Sequence, residues 1–105
     1  MLIQDHRDID RRSLDMHKLV AQKIRLQPEL FDRVKSLIER RLASIGPNER
    51  PYWMAWRVLT EQDMEAALRV AEDASERSAA MRQASPFSGI LSHKERFVFL
   101  KNWRP

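Results

Sequence analysis

Apolar residues recur every three or four positions along most of the chain, and this spacing restricts its fold more than any other sequence feature. The clearest case begins at Pro28, which suits the first turn of a helix because its missing N–H would be unpaired there. Gly46 and Pro47 follow the stripe, and a left-handed glycine before a proline commonly ends a helix. We therefore predict a helix from Pro28 to about Ser44. Its stripe consists of Leu30, Phe31, Val34, Leu37, Ile38, Leu42 and Ile45.

Signals for helix boundaries divide the rest of the chain in the same way. An amphipathic pattern covers residues 8–26, and Pro51 suits the first turn of a short third helix. Three stretches have the capping pattern that begins a helix, and they predict a fourth helix, a fifth that ends near Ala84, and a last helix. These stretches are Thr60–Asp63, Asp73–Glu76 and Ser92–Glu95. The apolar residues of the last helix are Phe97, Val98, Leu100 and Trp103.

Residues 85–91, Ser-Pro-Phe-Ser-Gly-Ile-Leu, interrupt the helices with an uncharged segment, which we call the apolar turn. Pro86 disfavours helical geometry at Ser85, and Gly89 can adopt a positive φ. We expect this turn to join the last two helices and to close that corner of the core. The side chains expected to do so are Phe87, Ile90 and Leu91.

The fold class follows from these patterns together with the composition. No segment alternates apolar and polar residues, so no sheet is predicted. The chain has 105 residues, of which 43% are hydrophobic and only two are glycine. This length fits one domain. We predict an all-α protein, a compact bundle of five or six short-to-medium helices, with residues 1–105 forming a single helical domain.

The residue types needed for catalysis or metal binding are few and scattered. The chain has no cysteine, which excludes disulfides, thiolate nucleophiles and cysteine zinc sites. His6, His17 and His93 are not spaced to converge with carboxylates, and His17 fits a half-buried packing position in the first helix. We therefore predict no enzyme activity, no cofactor and no metal. With neither a signal-peptide pattern nor a membrane-spanning run, a cytoplasmic location and no membrane partner are expected.

A DNA-binding role is one of two functions that the sequence suggests. The net charge is +4, and residues 77–105 contain six basic residues but one acid, which suits a polyanion, an acidic protein partner or charge complementarity within the chain. Residues 19–34 resemble a helix-turn-helix with the small residue Ala21, although Arg25 stands where the turn usually has glycine. Exposed basic residues of the second helix could contact phosphates, or could form an ordinary solvated face. They are Arg33, Lys35, Arg40 and Arg41.

Aromatic residues suggest the other function, the binding of a protein partner. Trp53 and Trp56 are three positions apart and share a helix face. Tryptophan is common both in cores and at the centres of interfaces, and we assign Trp56 to the core. The residues expected to bind a partner are Tyr52, Trp53, Trp103 and Arg96.

Two stretches also resemble a known family. Residues 13–24, SLDMHKLVAQKI, are similar to an RSLxxHRLIAEKL-type opening, and residues 81–96, MRQASPFSGILSHKER, to an LRQSSPFAGVLSPEER-type ending. Together they resemble a family of small bacterial helical proteins that occur alone or after XRE-type DNA-binding domains, in settings that suggest toxin–antitoxin operons. The resemblance implies an antitoxin-like or regulatory module.

The combined prediction is a module that sequesters a protein partner, with a toxin encoded nearby as the expected partner. The mechanism would be occlusion: an aromatic-centred patch covers the partner's active site, while arginines and lysines pair with its acids. The alternative is a small helix-turn-helix-like transcriptional regulator that binds DNA. Either function is compatible with a homo-oligomer.

Overall fold

The computed structural model describes residues 6–105, and within them it contains six α-helices and no strand. The all-α prediction is therefore confirmed for this part of the chain. Residues 1–5 of the predicted domain, and the side chain of His6, lie outside the described part. The helices are α1 (His6–Leu26), α2 (Phe31–Leu42), α3 (Arg50–Gln62), α4 (Met64–Ala71), α5 (Glu76–Gln83) and α6 (His93–Asn102), with a 3-10 turn at Pro28–Leu30 before α2.

Helices α2 to α5 each pack against the next one in sequence, and α1 packs against the last two of them. The second helix lies against α3, α3 against α4 and α4 against α5, while α1 contacts both α4 and α5. Their inward residues and those of the apolar turn form one buried cluster, in which Trp56 is fully enclosed and donates its indole N–H to the Met81 carbonyl at 3.0 Å. Among the six helices, α6 is the one that contributes no buried residue. None of the helices described combines the length and apolar character needed to cross a bilayer.

The predicted helix stop at Gly46 is wrong in its mechanism. Helix α2 ends at Leu42, and neither glycine of the described chain has a positive φ. The final carbonyls of α2 are bound in another way: the Ile45 N–H donates to Arg41 at 2.9 Å, and the Arg50 guanidinium donates to Leu42 at 3.0 Å. Because these acceptors are already satisfied, no left-handed residue is required.

Of the three predicted caps, one is confirmed as predicted. In the box before α6, the Glu95 N–H donates to the Ser92 hydroxyl at 3.1 Å, and the Ser92 N–H donates to the Glu95 carboxylate at 2.8 Å. The cap of α5 is Ser75 rather than Asp73. Thr60 lies inside α3 and donates its hydroxyl back to the Arg57 carbonyl at 3.0 Å, so it begins no helix. Asp63 caps α4 through its backbone alone.

The apolar turn closes the core as predicted. Phe87 and Ile90 are buried and Leu91 is partly buried. The Phe87 ring packs edge-on against Trp56, with 5.3 Å between centroids, and against His17 at 5.9 Å. Since the ring lies between α1 and α3, this turn fixes the point from which α6 departs.

Candidate protein-binding surface

Helix α6 lies antiparallel along α1 and is attached to it at two points. Near its start, the Lys23 ammonium lies 2.5 Å from the Glu95 carboxylate. Past its end, the Trp103 indole N–H donates to Asp15 at 2.9 Å. The partners are eight positions apart on both helices, which places the two attachments about 12 Å apart. Between them, side chains rather than backbone contacts hold α6 in place.

Four consecutive apolar residues, Phe97, Val98, Phe99 and Leu100, lie in the middle of α6. Because each residue of a helix is turned by about 100° from the one before, four in a row point to almost every side of the axis. Phe99 is partly buried, whereas Phe97, Val98 and Leu100 are 64%, 47% and 40% exposed. The helix therefore has apolar side chains on faces that none of the residues described by the structure covers.

One of these faces borders a groove of about 630 Å³ between α1 and α6, the α1–α6 groove. Its apolar wall consists of Leu19 from α1 and of Val98, Phe99 and Trp103 from the last helix and the residue after it. Leu26, which lies seven positions after Leu19 and on the same face of α1, extends the exposed apolar surface.

The two acids of the groove accept hydrogen bonds, whereas Lys94, its one basic residue, is in no ion pair with the described part of the chain. Hydrogen bonding to Lys23 and Ser92 lowers the pKa of Glu95 to about 2, so this carboxylate stays ionised and paired. Asp15 accepts the Trp103 indole N–H. Lys94 lines the groove and is exposed. The indole N–H is neutral, so Asp15 keeps its charge, but exposed Lys18, Arg96 and Lys101 lie around the groove and make its rim basic.

The residues predicted to bind a partner do not lie together. Trp103 lies in the α1–α6 groove and Arg96 is exposed on α6. Tyr52 lines a different cavity, of about 370 Å³, between α2, α3 and α5. Trp53 lines the same cavity, but its side chain is only 6% exposed and packs in the core, because adjacent residues on α3 point in directions about 100° apart.

The basic residues considered for DNA binding are all exposed, but they are distributed around α2. Arg33 and Arg40, seven positions apart, line one shallow concavity next to the apolar turn. Lys35 lies over the Phe31 ring, 5.6 Å from its centroid, and Arg41 lies over Trp53 at 5.8 Å. The set therefore does not form one continuous stripe.

The departure from the helix-turn-helix pattern at Arg25 has a structural role. Its guanidinium binds both Glu65 of α4 and Glu72, the residue after that helix, at distances between 2.7 and 3.1 Å. Arg25 thus joins α1 to α4, and the turn to α2 is made instead by the 3-10 residues that follow Gln27.

The described residues contain no group of three or more His, Cys, Asp or Glu side chains placed to hold a metal ion. The imidazole of His17 is buried, with Nδ1 2.7 Å from the Ser13 carbonyl and Nε2 2.7 Å from the Ser85 hydroxyl. Burial lowers its pKa. A carbonyl only accepts, so Nδ1 donates to Ser13, and in the neutral ring that the lowered pKa favours, Nε2 accepts from Ser85. The neutral imidazole of His17 thus joins α1 to the apolar turn.

Sequence reasoning placed Phe97, Val98 and Leu100 among the apolar residues of an ordinary last helix and did not assign them to a surface. The signal was present in the row of four apolar residues, which no single helix face can accommodate. Leu19 carried no comparable signal, because its exposure depends on where α6 lies.

Comparisons with known proteins add no family to this description. No protein-family model matches the chain, and neither a curated protein nor a solved structure matches it. The family resemblance of the two sequence stretches therefore stays a prediction.

Proposed function

We propose that the protein is a binding module that sequesters a protein partner through α6, and that this partner is a toxin encoded nearby. The exposed row Phe97–Leu100 is the observation that carries the first part of this proposal. The toxin rests on the sequence resemblance alone.

An exposed cluster of apolar side chains that is surrounded by polar residues commonly marks a binding surface. Here the three exposed side chains of the row, together with the half-buried Trp103, offer aromatic and aliphatic groups of the kind that dominate binding free energy. Exposed Lys94, Arg96 and Lys101 surround them. The partner's surface would cover the apolar residues and place acids against these bases, and its own site would be occluded in the same step.

DNA binding is supported less well, because only Arg33 and Arg40 share a concavity. A phosphate-binding surface normally aligns several basic groups along the duplex. We therefore keep DNA binding as an outcome of the experiment rather than as a second proposal.

The experiment compares two substitutions of similar exposure on different faces. Phe97 on α6 is 64% exposed and Val58 on α3 is 61% exposed. Binding to the product of the adjacent gene is measured by calorimetry for the natural chain, Phe97→Asp and Val58→Asp. We expect Phe97→Asp to weaken binding by about tenfold or more, because an interface centre is lost, and Val58→Asp to leave it unchanged.

Equal binding by all three proteins, or loss of binding only on Tyr52→Ala, would reject α6 as the site. Absence of any binding to the neighbouring product would reject the toxin. Salt-sensitive binding to the operon's promoter DNA that is lost in Arg33→Ala/Arg40→Ala would favour the regulator instead.

A further inference from the structure

We infer that the partner inserts an amphipathic helix with acidic flanks into the α1–α6 groove. This inference rests on the proposed function and specifies what occupies the surface.

The shape of the groove fits a helix. Its two walls are antiparallel helices, attached to each other at Lys23–Glu95 and at Asp15–Trp103. The stretch between these attachments is about 12 Å long, which is the length of about two helical turns. A helix with apolar residues at positions i, i+3, i+4 and i+7 presents an apolar stripe of this length, and grooves between helices are a recurrent binding site for such stripes.

The charge of the groove specifies the flanks of that helix. Lys94 lines the groove, and Lys101, seven positions later, lies on the same side of α6. On the opposite wall, Lys18 is exposed beside Leu19. The acids between the two walls are engaged by Lys23 and by the Trp103 indole. Glutamates or aspartates beside the apolar stripe of the incoming helix would therefore face lysines on both walls.

Two other occupants fit this surface less well, a second copy of the chain and a membrane. In a symmetric dimer each patch meets its own copy, which would place the lysines of α6 close to the lysines of a second α6. A helix that lies on a membrane needs its apolar residues on one face, whereas those of α6 point to all sides. A concave groove with basic rims is better matched by an acidic helix.

The experiment uses the full chain and three synthetic peptides of about 15 residues, long enough to form a helix in a groove. All three carry the same apolar stripe, and their flanking positions hold glutamate, glutamine or lysine. Fluorescence anisotropy should show that the glutamate peptide binds about tenfold or more tightly than the lysine peptide, and that this preference shrinks at about 1 M salt.

Two substitutions locate the binding. Val98→Asp places a carboxylate in the wall of the groove and should abolish binding of the glutamate peptide, whereas Val58→Asp, on α3 and outside the groove lining, should preserve it. An equal or greater affinity for the lysine peptide, or full binding by Val98→Asp, would overturn the inference. If no peptide binds while the protein complex still depends on Phe97, the inference fails and the proposed function stands.

The remaining occupants are tested with the same variants. If the protein sediments with phosphatidylglycerol vesicles, Val98→Asp does not, and the glutamate peptide is not preferred, the occupant of the groove is an anionic membrane and not a helix. If the protein self-associates and Val98→Asp does not, the occupant is a second copy of the chain.

Discussion

The apolar turn and α6 are neighbours in the chain and each contains a group of apolar residues, yet these side chains have opposite environments. Phe87 and Ile90 of the turn are buried, Phe87 between α1 and α3, whereas Phe97, Val98 and Leu100 of α6 are exposed. Only five residues lie between Ile90 and Arg96, the residue directly before the exposed apolar row of α6. Position along the chain therefore does not explain the contrast.

Backbone geometry explains it. In an irregular turn the chain reverses its direction, and nonadjacent side chains such as Phe87 and Ile90 can converge on one point. In a helix successive side chains diverge by about 100°, so a row of four cannot converge. Similar residues thus complete a core in one backbone and leave an open surface in the other.

The comparison is tested most strongly by truncating one phenylalanine in each region. Phe87→Ala removes a buried ring between Trp56 and His17 and should lower the free energy of unfolding by about 3–5 kcal/mol. Phe97→Ala should change it by less than about 0.5 kcal/mol, as is usual for an exposed residue. Urea denaturation of both variants gives the two values, and similar losses would mean that α6 belongs to the core.

The helix caps test whether α6 unfolds separately from the rest. Ser75 caps α5 and Ser92 caps α6, in each case by accepting a backbone N–H. Substitution by alanine should cost about 1 kcal/mol at either site. We expect Ser75→Ala to lower the global free energy of unfolding, and Ser92→Ala to increase hydrogen exchange in α6 while the global value is unchanged. If both substitutions lowered the global free energy of unfolding, α6 would not unfold separately from the rest.

Mild acid should weaken the turn but not the attachment of α6, and this is the smallest effect. Burial lowers the pKa of His17 below its ordinary value of 6.5, so the folded protein binds fewer protons than the unfolded chain, and stability falls as the pH falls below 6.5. Between about pH 7.5 and about pH 6, one such histidine accounts for less than about 1 kcal/mol.

Over the same interval Glu95 stays ionised, because its pKa is lowered to about 2, and its contribution to stability is lost progressively only as the pH falls from the ordinary value of 4.5 towards about 2. Thermal melting across this pH range should therefore show a decline that His17→Gln removes. Hydrogen exchange should show constant protection of the α6 amides relative to unstructured ones at the same pH. A decline that persists in His17→Gln would place the acid-sensitive group elsewhere.

The helices could be predicted from the sequence because periodicity and prolines are local signals, but some of their ends could not. Arg50 satisfies the last carbonyl of α2 from the beginning of the next helix, and no local pattern announces that contact. Thr60 matched the capping pattern because a hydroxyl followed by an acid occurs both at the start of a helix and in its interior. In the interior, threonine donates its hydroxyl to an earlier carbonyl, as Thr60 does.

The candidate site was predicted only in part, for a related reason. Trp103 and Arg96 were selected as binding residues and do lie at the α6 surface. Whether Tyr52 or Trp53 would be buried depends on how α3 is rotated against its neighbours, which its own sequence does not specify. The row beginning at Phe97 could have been recognised, since helix geometry alone requires some of it to stay exposed.

The position of Trp103 has an optical consequence. Of the three tryptophans in the chain, Trp53 and Trp56 are enclosed in the core, while Trp103 lines the α1–α6 groove with its indole N–H on the Asp15 carboxylate. Indole emission responds to nearby water and charge, so a molecule that fills the groove would alter the Trp103 component and leave the other two as an internal reference. The protein thus carries its own unlabelled fluorescent probe at the surface where a partner is proposed to bind.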